Sequence, residues 1–360
     1  MGQGAAGGGT RRAVILGGTG AIGFATARRL LAAGWRVDVT GRDPGHLPPG
    51  LEDAAFRPLD RDDAGGLSDL LREGADLVVD CACYTAAQAR ALLPLVLDVA
   101  STVMVSSKAV YVDAAGRHSN SPERPRFDGP ISESQPTLRP NDAPFDSPEG
   151  YGANKVAAEE VLLDSGLPVT ILRPSKVHGA WARRPREWAV VKRVLDGRRH
   201  ALLAYRGEGG DHPSAAVNVA ALIELAARRP GRRILNAADP DAPSALAIYR
   251  AVAAHLGHAF DEVLIDGPPH GAVGRTPWDA VPPVVLDTSA AERLGYAPVG
   301  SYATTVADEV DWLVGLARTG VPAWPLPRPD DPFFARLLDY AAEDRYLATH
   351  PRPDRGAAPA

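Results

Sequence analysis

The sequence predicts an α/β fold with a doubly wound parallel sheet of the Rossmann type and a smaller C-terminal lobe. Two observations support this prediction. In the first half of the 360-residue chain, short apolar runs rich in β-branched residues alternate with stretches of helical periodicity. The runs are apolar at successive positions, as expected for strands that helices cover on both faces. Such alternation is typical of βαβ units, which build parallel sheets.

Six segments of this half have the composition of buried strands, and four others have the pattern of helices. The predicted strands are AVILGG (13–18), RVDVTG (36–41), the weaker AAFRPL (54–59), DLVVDCAC (76–83), TVMVSS (102–107) and PVTILRPS (168–175). The predicted helices are 21–33, 64–73, 86–98 and 151–165.

The alternation of strand and helix patterns stops in residues 112–150, which contain seven prolines and almost no periodic apolar positions. This composition predicts a long loop, and long loops inside compact domains are usually functional or mobile. Beyond residue 178 the pattern is less regular. Helices are predicted at 185–197, 215–228 and 244–257, with a short strand at 232–238.

We therefore expect a Rossmann domain at 11–178 and a second lobe at 179–345, with residues 213–240 returning to the first domain. The glycine-rich residues 1–10 and the proline-rich residues 346–360 are predicted to be flexible tails.

Composition excludes several classes of protein. The net charge is −5 without a long basic run, so no nucleic-acid partner is expected. No apolar run approaches the roughly 20 residues that span a bilayer, and the glycine-rich start does not resemble a signal peptide. Cys81 and Cys83 are too close for an unstrained disulfide and are predicted to be small core residues. The histidines show no convincing metal spacing, so no metal is expected. These features favour a cytoplasmic enzyme.

The stretch VILGGTGAIG carries the strongest local signal. Gly17, Gly20 and Gly23 follow the first strand and open a helix. Glycine permits a tight turn and a close approach of the backbone to a pyrophosphate, which the helix N-terminus attracts. This pattern predicts a dinucleotide site that includes Thr19, Ala21 and Ile22 of the same turn.

The end of the second strand favours NADP, with NAD as the alternative. NAD enzymes usually place an acid there for the ribose 2′-hydroxyl. Here Gly41 stands at that position and Arg42 follows, whose guanidinium suits a 2′-phosphate. The nearby Asp43 and the option of an ordinary surface arginine leave the choice open.

Tyr151 and Lys155 lie four residues apart at the start of a predicted helix and share a face. An ammonium one turn from a phenol favours the phenolate, which would make the tyrosine an acid–base group at neutral pH. The alternative is a packed tyrosine beside a solvated lysine.

The motifs GGTGAIG, VSSKAVY and YGANK, in this order, resemble those of the extended short-chain dehydrogenase/reductases, the NAD-dependent epimerase/dehydratase family. The likeness continues through ILRPSKVHG, VNVAALIELA and DTSAAERLGYAP and covers about residues 11–315. It implies that 11–178 binds NAD(P) and that 179–345 mainly binds substrate.

The resemblance also implies roles for individual residues. Tyr151 would be the acid–base group, Lys155 would lower its pKa and bind the nicotinamide ribose, and Ser107 would hydrogen-bond the substrate oxygen. The remaining implied cofactor contacts are Asp60 and Arg61 near the adenine, Cys81 and Ala82 behind the cofactor, and Pro174 and Ser175 near the nicotinamide.

Two departures from the family pattern affect the expected reaction and the expected substrate contacts. Lys108 and Ala109 follow Ser107 where sugar-nucleotide dehydratases carry an Asp–Glu pair, so dehydration is disfavoured. The segment RPSKVHG places Lys176 and His178 where relatives contact a nucleotide-sugar diphosphate. We expect both to contact substrate.

Three arginines, Arg183, Arg184 and Arg186, follow in WARRPREW. They either meet an anionic substrate or form a solvated loop, and Arg183 is taken as a substrate contact.

The sequence thus predicts an NAD(P)-dependent oxidoreductase that acts at a secondary alcohol or ketone of a sugar nucleotide or similar polar metabolite. One alternative is a sugar-nucleotide epimerase with tightly bound NAD. Another is a family member that binds a nucleotide or RNA without catalysis. Beyond the small-molecule substrate, a homodimer is the expected assembly, and no membrane or nucleic-acid partner is expected.

Overall fold

A computed structural model describes residues 10–43, 47–319, 326–328 and 330–350. Most of the two predicted tails therefore lies outside the described residues. The second predicted tail nevertheless begins inside a helix that runs to Thr349. Tyr346 and Leu347 of that helix pack against an apolar cluster that contains Leu202 and Ile265, which explains why the chain is ordered here.

Seven strands form the central sheet, and every neighbouring pair is parallel. They are β1 (Arg12–Leu16), β2 (Arg36–Gly41), β3 (Ala55–Pro58), β4 (Leu77–Asp80), β5 (Ser101–Val105), β6 (Val169–Pro174) and β10 (Arg233–Ala237). Their order across the sheet is β10-β6-β5-β4-β1-β2-β3. The predicted fold class is confirmed, and the strand predicted at 232–238 occupies one edge of this sheet.

The other described strands form two short parallel pairs. They are β7 (Lys176–His178) with β9 (Pro213–Ala215), and β8 (His200–Leu203) with β11 (Asp261–Leu264).

Helices surround the sheet and build the C-terminal lobe. They are α1 (Ala21–Ala32), α2 (Ala64–Leu71), α3 (Ala86–Leu92), α4 (Pro148–Asp164), α5 (Trp188–Leu195), α6 (Ala216–Arg228), α7 (Ala245–His255), α8 (Ser289–Arg293), α9 (Tyr302–Thr305), α10 (Ala307–Thr319), α11 (Pro332–Ala335) and α12 (Tyr340–Thr349). Among the described helices, none is both long and apolar enough to cross a membrane.

Local chemistry explains where two of these helices differ from the predicted bounds. The α-helix predicted over 86–98 ends at Leu92 and tightens into a 3₁₀ turn that contains Pro94, because proline lacks an N–H and clashes with the preceding turn. Helix α4 begins three residues earlier than predicted. The Ser147 hydroxyl accepts a hydrogen bond from the Gly150 N–H at 3.0 Å, and Pro148 stands in the first turn.

The two faces of the sheet are covered by different helices. Ala13 and Ile15 of β1 belong to a core cluster with residues of α1 and α6, whereas Val14 and Leu16 pack with residues of α2. Successive side chains of a strand point to opposite faces, so this division is what a doubly wound sheet requires.

The C-terminal lobe has its own apolar core. It contains buried residues of α5, α7, α9, α10 and α11 together with the fully buried Trp278. Helix α6 does not belong to this core but packs against the central sheet, and strand β10 forms part of that sheet.

The proline-rich segment before α4 contacts both lobes. Tyr111 bridges to Thr137 within the segment, and Ile131 bridges to Leu286. Asp113 fixes the turn that follows, because its carboxylate accepts hydrogen bonds from backbone N–H groups, including that of Arg117 at 2.9 Å. The loop is therefore tied at several points between β5 and α4.

Candidate active site

The turn between β1 and α1 is shaped for a close backbone approach. Gly17 has φ = +82°, which favours glycine. A Cβ at Gly18 would lie 2.5 Å from the Cβ of Val39, and one at Gly23 would lie 2.4 Å from the Gly17 carbonyl oxygen. Gly20 caps α1 without a side-chain hydrogen bond, and a Cβ there would meet its first protein atom only at 4.0 Å. The helix N-terminus can therefore receive a phosphate.

The other predicted residues of this turn differ in what they can offer a cofactor. The side chain of Ala21 is buried in a cluster with Ala216 and Ala220 of α6, so its backbone N–H is the group that can face a phosphate. Ile22 packs against the main core. Thr19 lies over the end of β2, where its Cγ2 would be 2.8 Å from a Cβ at Gly41.

The end of β2 has no room for an acidic side chain at residue 41 without movement of its neighbours. Besides Thr19, a Cβ at Gly41 would meet the Phe56 ring at 3.2 Å. The next side chain, that of Arg42, is exposed. Arg42 and the exposed Asp43 are thus the charged groups that this strand end presents.

The loops after β3 and β4 are joined by a buried ion pair. Arg61 lies 2.7 Å from Asp80, and its Nη2 donates to the Gln88 carbonyl at 3.0 Å. The other oxygen of Asp80 accepts from the Ala82 N–H at 2.9 Å. This pair fixes the loop behind the glycine turn, and it occupies the guanidinium that was expected near the adenine. The exposed Asp60 lies just before it.

Cys81 supports the glycine turn as a small side chain. Its Cβ would be 3.4 Å from a Cβ at Gly17. Burial raises the pKa of Cys81 and of Cys83 to about 12, with the charge of Asp80 acting in the same direction, so both remain neutral thiols.

Ser107 and Tyr151 meet at the carboxyl edge of the sheet. Ser107 follows β5, and its hydroxyl accepts a hydrogen bond from the Ala109 N–H at 3.1 Å. Tyr151 lies in the first turn of α4. Burial raises the pKa of the Tyr151 phenol above its usual value, and a hydrogen bond with Ser107 and the charge of Arg186 offset this only in part. The phenol is thus held beside a hydroxyl and a cation.

Lys155 is almost fully buried one turn further along α4. Its ammonium donates to the carbonyls of Cys83 at 2.6 Å and Val105 at 2.9 Å, and it lies 4.3 Å from the centre of the Tyr84 ring. An ammonium has three donors, so one remains beyond these two bonds. The carbonyl contacts place this donor where β4 and β5 end.

A second charged group adjoins Ser107 and centres on Asp211. Lys108 pairs with one carboxylate oxygen of Asp211, and Lys176 lies 3.1 Å from the other. Burial lowers the pKa of Lys108 well below its usual value, and it lowers that of Lys176 to about 7. In both cases the positive charge of Arg186 adds to the effect. One carboxylate thus pairs with two lysines, and the positive charges of Arg186 and Arg124 lie close enough to lower the pKa of both.

The profile of the NAD dependent epimerase/dehydratase family matches residues 13–209, more than half of the chain. The chain belongs to this family. The resemblance of the glycine, serine and tyrosine motifs is therefore confirmed, and the protein is an enzyme of the extended short-chain dehydrogenase type. A comparison with curated proteins found no match.

Solved structures share the fold of this epimerase/dehydratase-family enzyme at low sequence identity. UDP-glucose 4-epimerase from Thermotoga maritima is 18% identical, with a TM-score of 0.63 over 85% of this chain and 99% of that one. The dTDP-glucose 4,6-dehydratase from Bacillus anthracis, in complex with NAD, is 14% identical, with a TM-score of 0.66 over 87% and 100%. UDP-glucuronic acid 4-epimerase from Bacillus cereus is 18% identical, with a TM-score of 0.62 over 85% and 99%.

Three side chains predicted to bind substrate lie in different environments in this family member. Lys176 is part of the charged group around Asp211. Arg183 is exposed. Arg186, for which the sequence left a substrate contact and a solvated loop open, contributes a positive charge that lowers the pKa of the Tyr151 phenol. His178 is 1% exposed and is bonded through Nε2 to Asp239 at 2.8 Å. His178 is therefore bonded to Asp239 inside the protein, and its contact with substrate stays a prediction.

The last two predicted cofactor contacts follow β6. Pro174 ends the strand, and the Ser175 N–H donates to the Ser214 hydroxyl at 2.9 Å. The Ser175 hydroxyl donates to Asp211 at 3.5 Å. Ser175 therefore connects β6 to the charged group around Asp211.

A buried network that the sequence analysis missed holds α4 against the sheet of this enzyme. Glu159 of α4 pairs with Arg173 of β6 and accepts a hydrogen bond from the Ser106 hydroxyl. Arg173 also lies 4.8 Å from the centre of the Tyr111 ring. The sequence contained one indication of this network, which is Arg173 inside the otherwise apolar strand β6, because a buried charge needs a partner.

Proposed function

We propose that this enzyme oxidises a secondary alcohol or reduces a ketone of a sugar nucleotide or similar anionic metabolite, with Tyr151 as the acid–base group. The observation that carries the proposal is the packing of the start of α4, with Tyr151, against the turn that follows Ser107, at the sheet edge that also holds the glycine turn. The fit of that turn to a pyrophosphate supports a dinucleotide there. When bound, the nicotinamide cofactor supplies or accepts the hydride.

The proton would move through Tyr151. During reduction the phenol gives its proton to the substrate oxygen, and during oxidation the phenolate removes it. Arg186 favours the phenolate, and the remaining donor of Lys155 is available for a ribose hydroxyl. The Ser107 hydroxyl would hydrogen-bond the substrate oxygen and stabilise its developing charge.

The cationic group beside Ser107 supports an anionic substrate. Lys108 and Lys176 share the single carboxylate of Asp211, so a substrate phosphate or carboxylate would supply a second negative charge. Lys108 also stands where dehydratases of this family carry an acid, which disfavours elimination of water. Net reduction or epimerisation remains.

NADP is the cofactor we favour, because Gly41 leaves no room for an acid and Arg42 is exposed beside it. An enzyme that exchanges its cofactor at each turnover fits this preference better than one that retains it. We therefore place net reduction slightly ahead of epimerisation. NAD in neighbouring structures, including an epimerase from Thermus thermophilus, supports the epimerase alternative.

The test is an assay of nicotinamide released from purified, denatured protein. The proposal expects little bound cofactor and consumption of added NADPH with a keto-sugar nucleotide. Near-stoichiometric NAD, with turnover that needs no added cofactor, would instead establish the epimerase. A chain that binds nucleotide or RNA but turns over neither substrate type would support the non-catalytic alternative, which the presence of Ser107, Tyr151 and Lys155 disfavours.

We also propose that the enzyme is cytoplasmic and that it forms a homodimer. The charge and composition of the chain support the former. Size-exclusion chromatography with light scattering would test the dimer.

A further inference from the structure

A second cluster of ionisable groups lies at the junction of the two lobes. It consists of His178 at the end of β7, Glu187 just before α5 and Glu309 in α10, and all three are buried. One ring nitrogen and one oxygen of each carboxylate lie within 4.8 Å of one another. The spacing of these residues in the sequence did not predict this cluster, since more than a hundred residues separate Glu187 from Glu309.

Each of the three side chains uses one polar atom for a fixed protein contact. His178 Nε2 bonds to Asp239 at 2.8 Å, and the Tyr302 hydroxyl donates to Glu187 Oε1 at 3.1 Å. The Gly179 N–H donates to Glu309 Oε2. These contacts hold the three groups in place.

The second polar atom of each side chain is buried and has no hydrogen-bond partner among the described residues. These atoms are His178 Nδ1, Glu187 Oε2 and Glu309 Oε1. A buried polar atom without a partner is costly, and three in one cluster call for a shared partner.

The charges around the cluster are unbalanced towards the negative. Glu187, Glu309 and Asp239 contribute carboxyl groups. Arg186 is the guanidinium whose charge acts on Glu187 and Glu309, so one such cation stands against three carboxyl groups. Two buried carboxylates this close cannot both be ionised without a further positive charge.

We propose that His178, Glu187 and Glu309 bind one divalent transition-metal ion of the Zn²⁺ type. Imidazole and carboxylate ligands suit such ions. When Nε2 donates its proton to Asp239, neutral His178 presents the lone pair of Nδ1 to the cluster, and a carboxylate behind a histidine is the usual support of a metal ligand. Atoms 4.8 Å apart at most have a common point within ~2.8 Å, so small side-chain movements reach the ~2.0–2.2 Å of zinc bonds.

The ion would join β7 to α5 and α10, and thus the sheet domain to the C-terminal lobe. It would also hold Glu187 in place, and the chain neighbour of Glu187, Arg186, has a charge that lowers the pKa of Tyr151.

The competing explanation is protonation. Burial and the charge of Glu187 raise the pKa of Glu309 well above its usual value, and although burial acts to lower the pKa of His178, Asp239 raises it. A proton shared by Glu187 and Glu309 together with a charged His178 would then satisfy all three atoms without an ion.

The experiment measures metal directly and does not depend on activity or on the proposed reaction. Full-length protein is purified without a metal-affinity step, and its metal content is determined by mass spectrometry. Protein treated with a chelator is then titrated with Zn²⁺ by calorimetry, and its melting temperature is recorded with and without the ion. We expect one Zn²⁺ per chain and a higher melting temperature in its presence.

Glu309→Gln removes one ligand with almost no change in shape, and Asp308→Asn is the matched control. Asp308 is the exposed neighbour on the same helix. Glu309→Gln should weaken Zn²⁺ binding by more than about 100-fold, since loss of a supporting residue alone costs ~10–100-fold. Asp308→Asn should bind Zn²⁺ as the unaltered protein does. If Glu309→Gln does not fold, Glu187→Gln replaces it.

Two results would overturn the proposal. One is wild-type protein that neither contains metal nor gains stability from Zn²⁺, which would assign the cluster to shared protons. The other is Zn²⁺ binding that persists unchanged in Glu309→Gln, which would place the ion elsewhere.

Discussion

Lys176 lies 3.1 Å from Asp211, whose other oxygen pairs with Lys108. One carboxylate therefore pairs with two ammonium groups next to Ser107, of which Lys108 is buried and Lys176 half-buried. Burial and the charges of Arg186 and Arg124 together lower the pKa of Lys176 to about 7. Lys176 is thus charged below that pH and loses its charge above it.

This titration predicts how an anionic substrate binds at different pH. A cation contributes to binding only while it is protonated, so kcat/KM should fall as the pH rises through about 7. Lys176→Arg keeps its charge across this range and should remove the fall. The measurement is kcat/KM between pH 6 and 9. An unchanged profile in Lys176→Arg would show that another group titrates.

Tyr151→Phe should lower kcat by about 10²–10⁴-fold, because it removes the proton carrier. Cofactor affinity should stay within a few-fold, since Lys155 remains bonded to the Cys83 and Val105 carbonyls. Steady-state kinetics and fluorescence titration with cofactor measure the two effects. Retention of more than about a tenth of wild-type kcat would contradict the role of the phenol.

Arg42→Ala should weaken NADP(H) by about 10-fold or more, as expected for the loss of a charge-assisted hydrogen bond of ~1.5–3 kcal/mol. Binding of NAD(H) should change little. The control is Arg36→Ala, which removes an exposed arginine at the other end of the same strand. Calorimetry that shows the unaltered enzyme to prefer NAD(H) would overturn the assignment of Arg42.

Arg173→Met should destabilise the protein by about 3–5 kcal/mol, because it leaves Glu159 buried without its cation. Arg250→Met serves as the comparison, since Arg250 pairs with Glu262 on the surface and should cost less than ~1 kcal/mol. Urea unfolding followed by circular dichroism measures both. Equal losses would mean that the buried pair does not hold α4 to β6.

The sheet could be predicted because its signals are local. Each strand is a short apolar run between breakers, and β2 runs over the predicted residues 36–41. The glycine turn was equally visible, since its glycines lie within seven residues of one another. Proline chemistry shifted the end of α3, and capping shifted the start of α4. Both effects come from single residues, which the hydrophobic periodicity of a segment does not reflect.

The environment of the candidate site was harder to predict, because its charge pairs are distant in the chain. Lys108 and Asp211 are about a hundred residues apart, and so are Glu187 and Glu309. No spacing rule connects such residues. The motif position of His178 likewise gave no indication that its ring would be buried against Asp239.

The return of α6 and β10 to the central sheet means that the two lobes are not separable pieces of chain. A fragment that stopped at residue 178 would lack the strand that pairs with β6 and the helix that packs against α1. It would expose one open sheet edge and an apolar helix face, both of which promote aggregation. An exchange of the C-terminal lobe between relatives would therefore need at least two junctions, one on each side of the segment that carries α6 and β10.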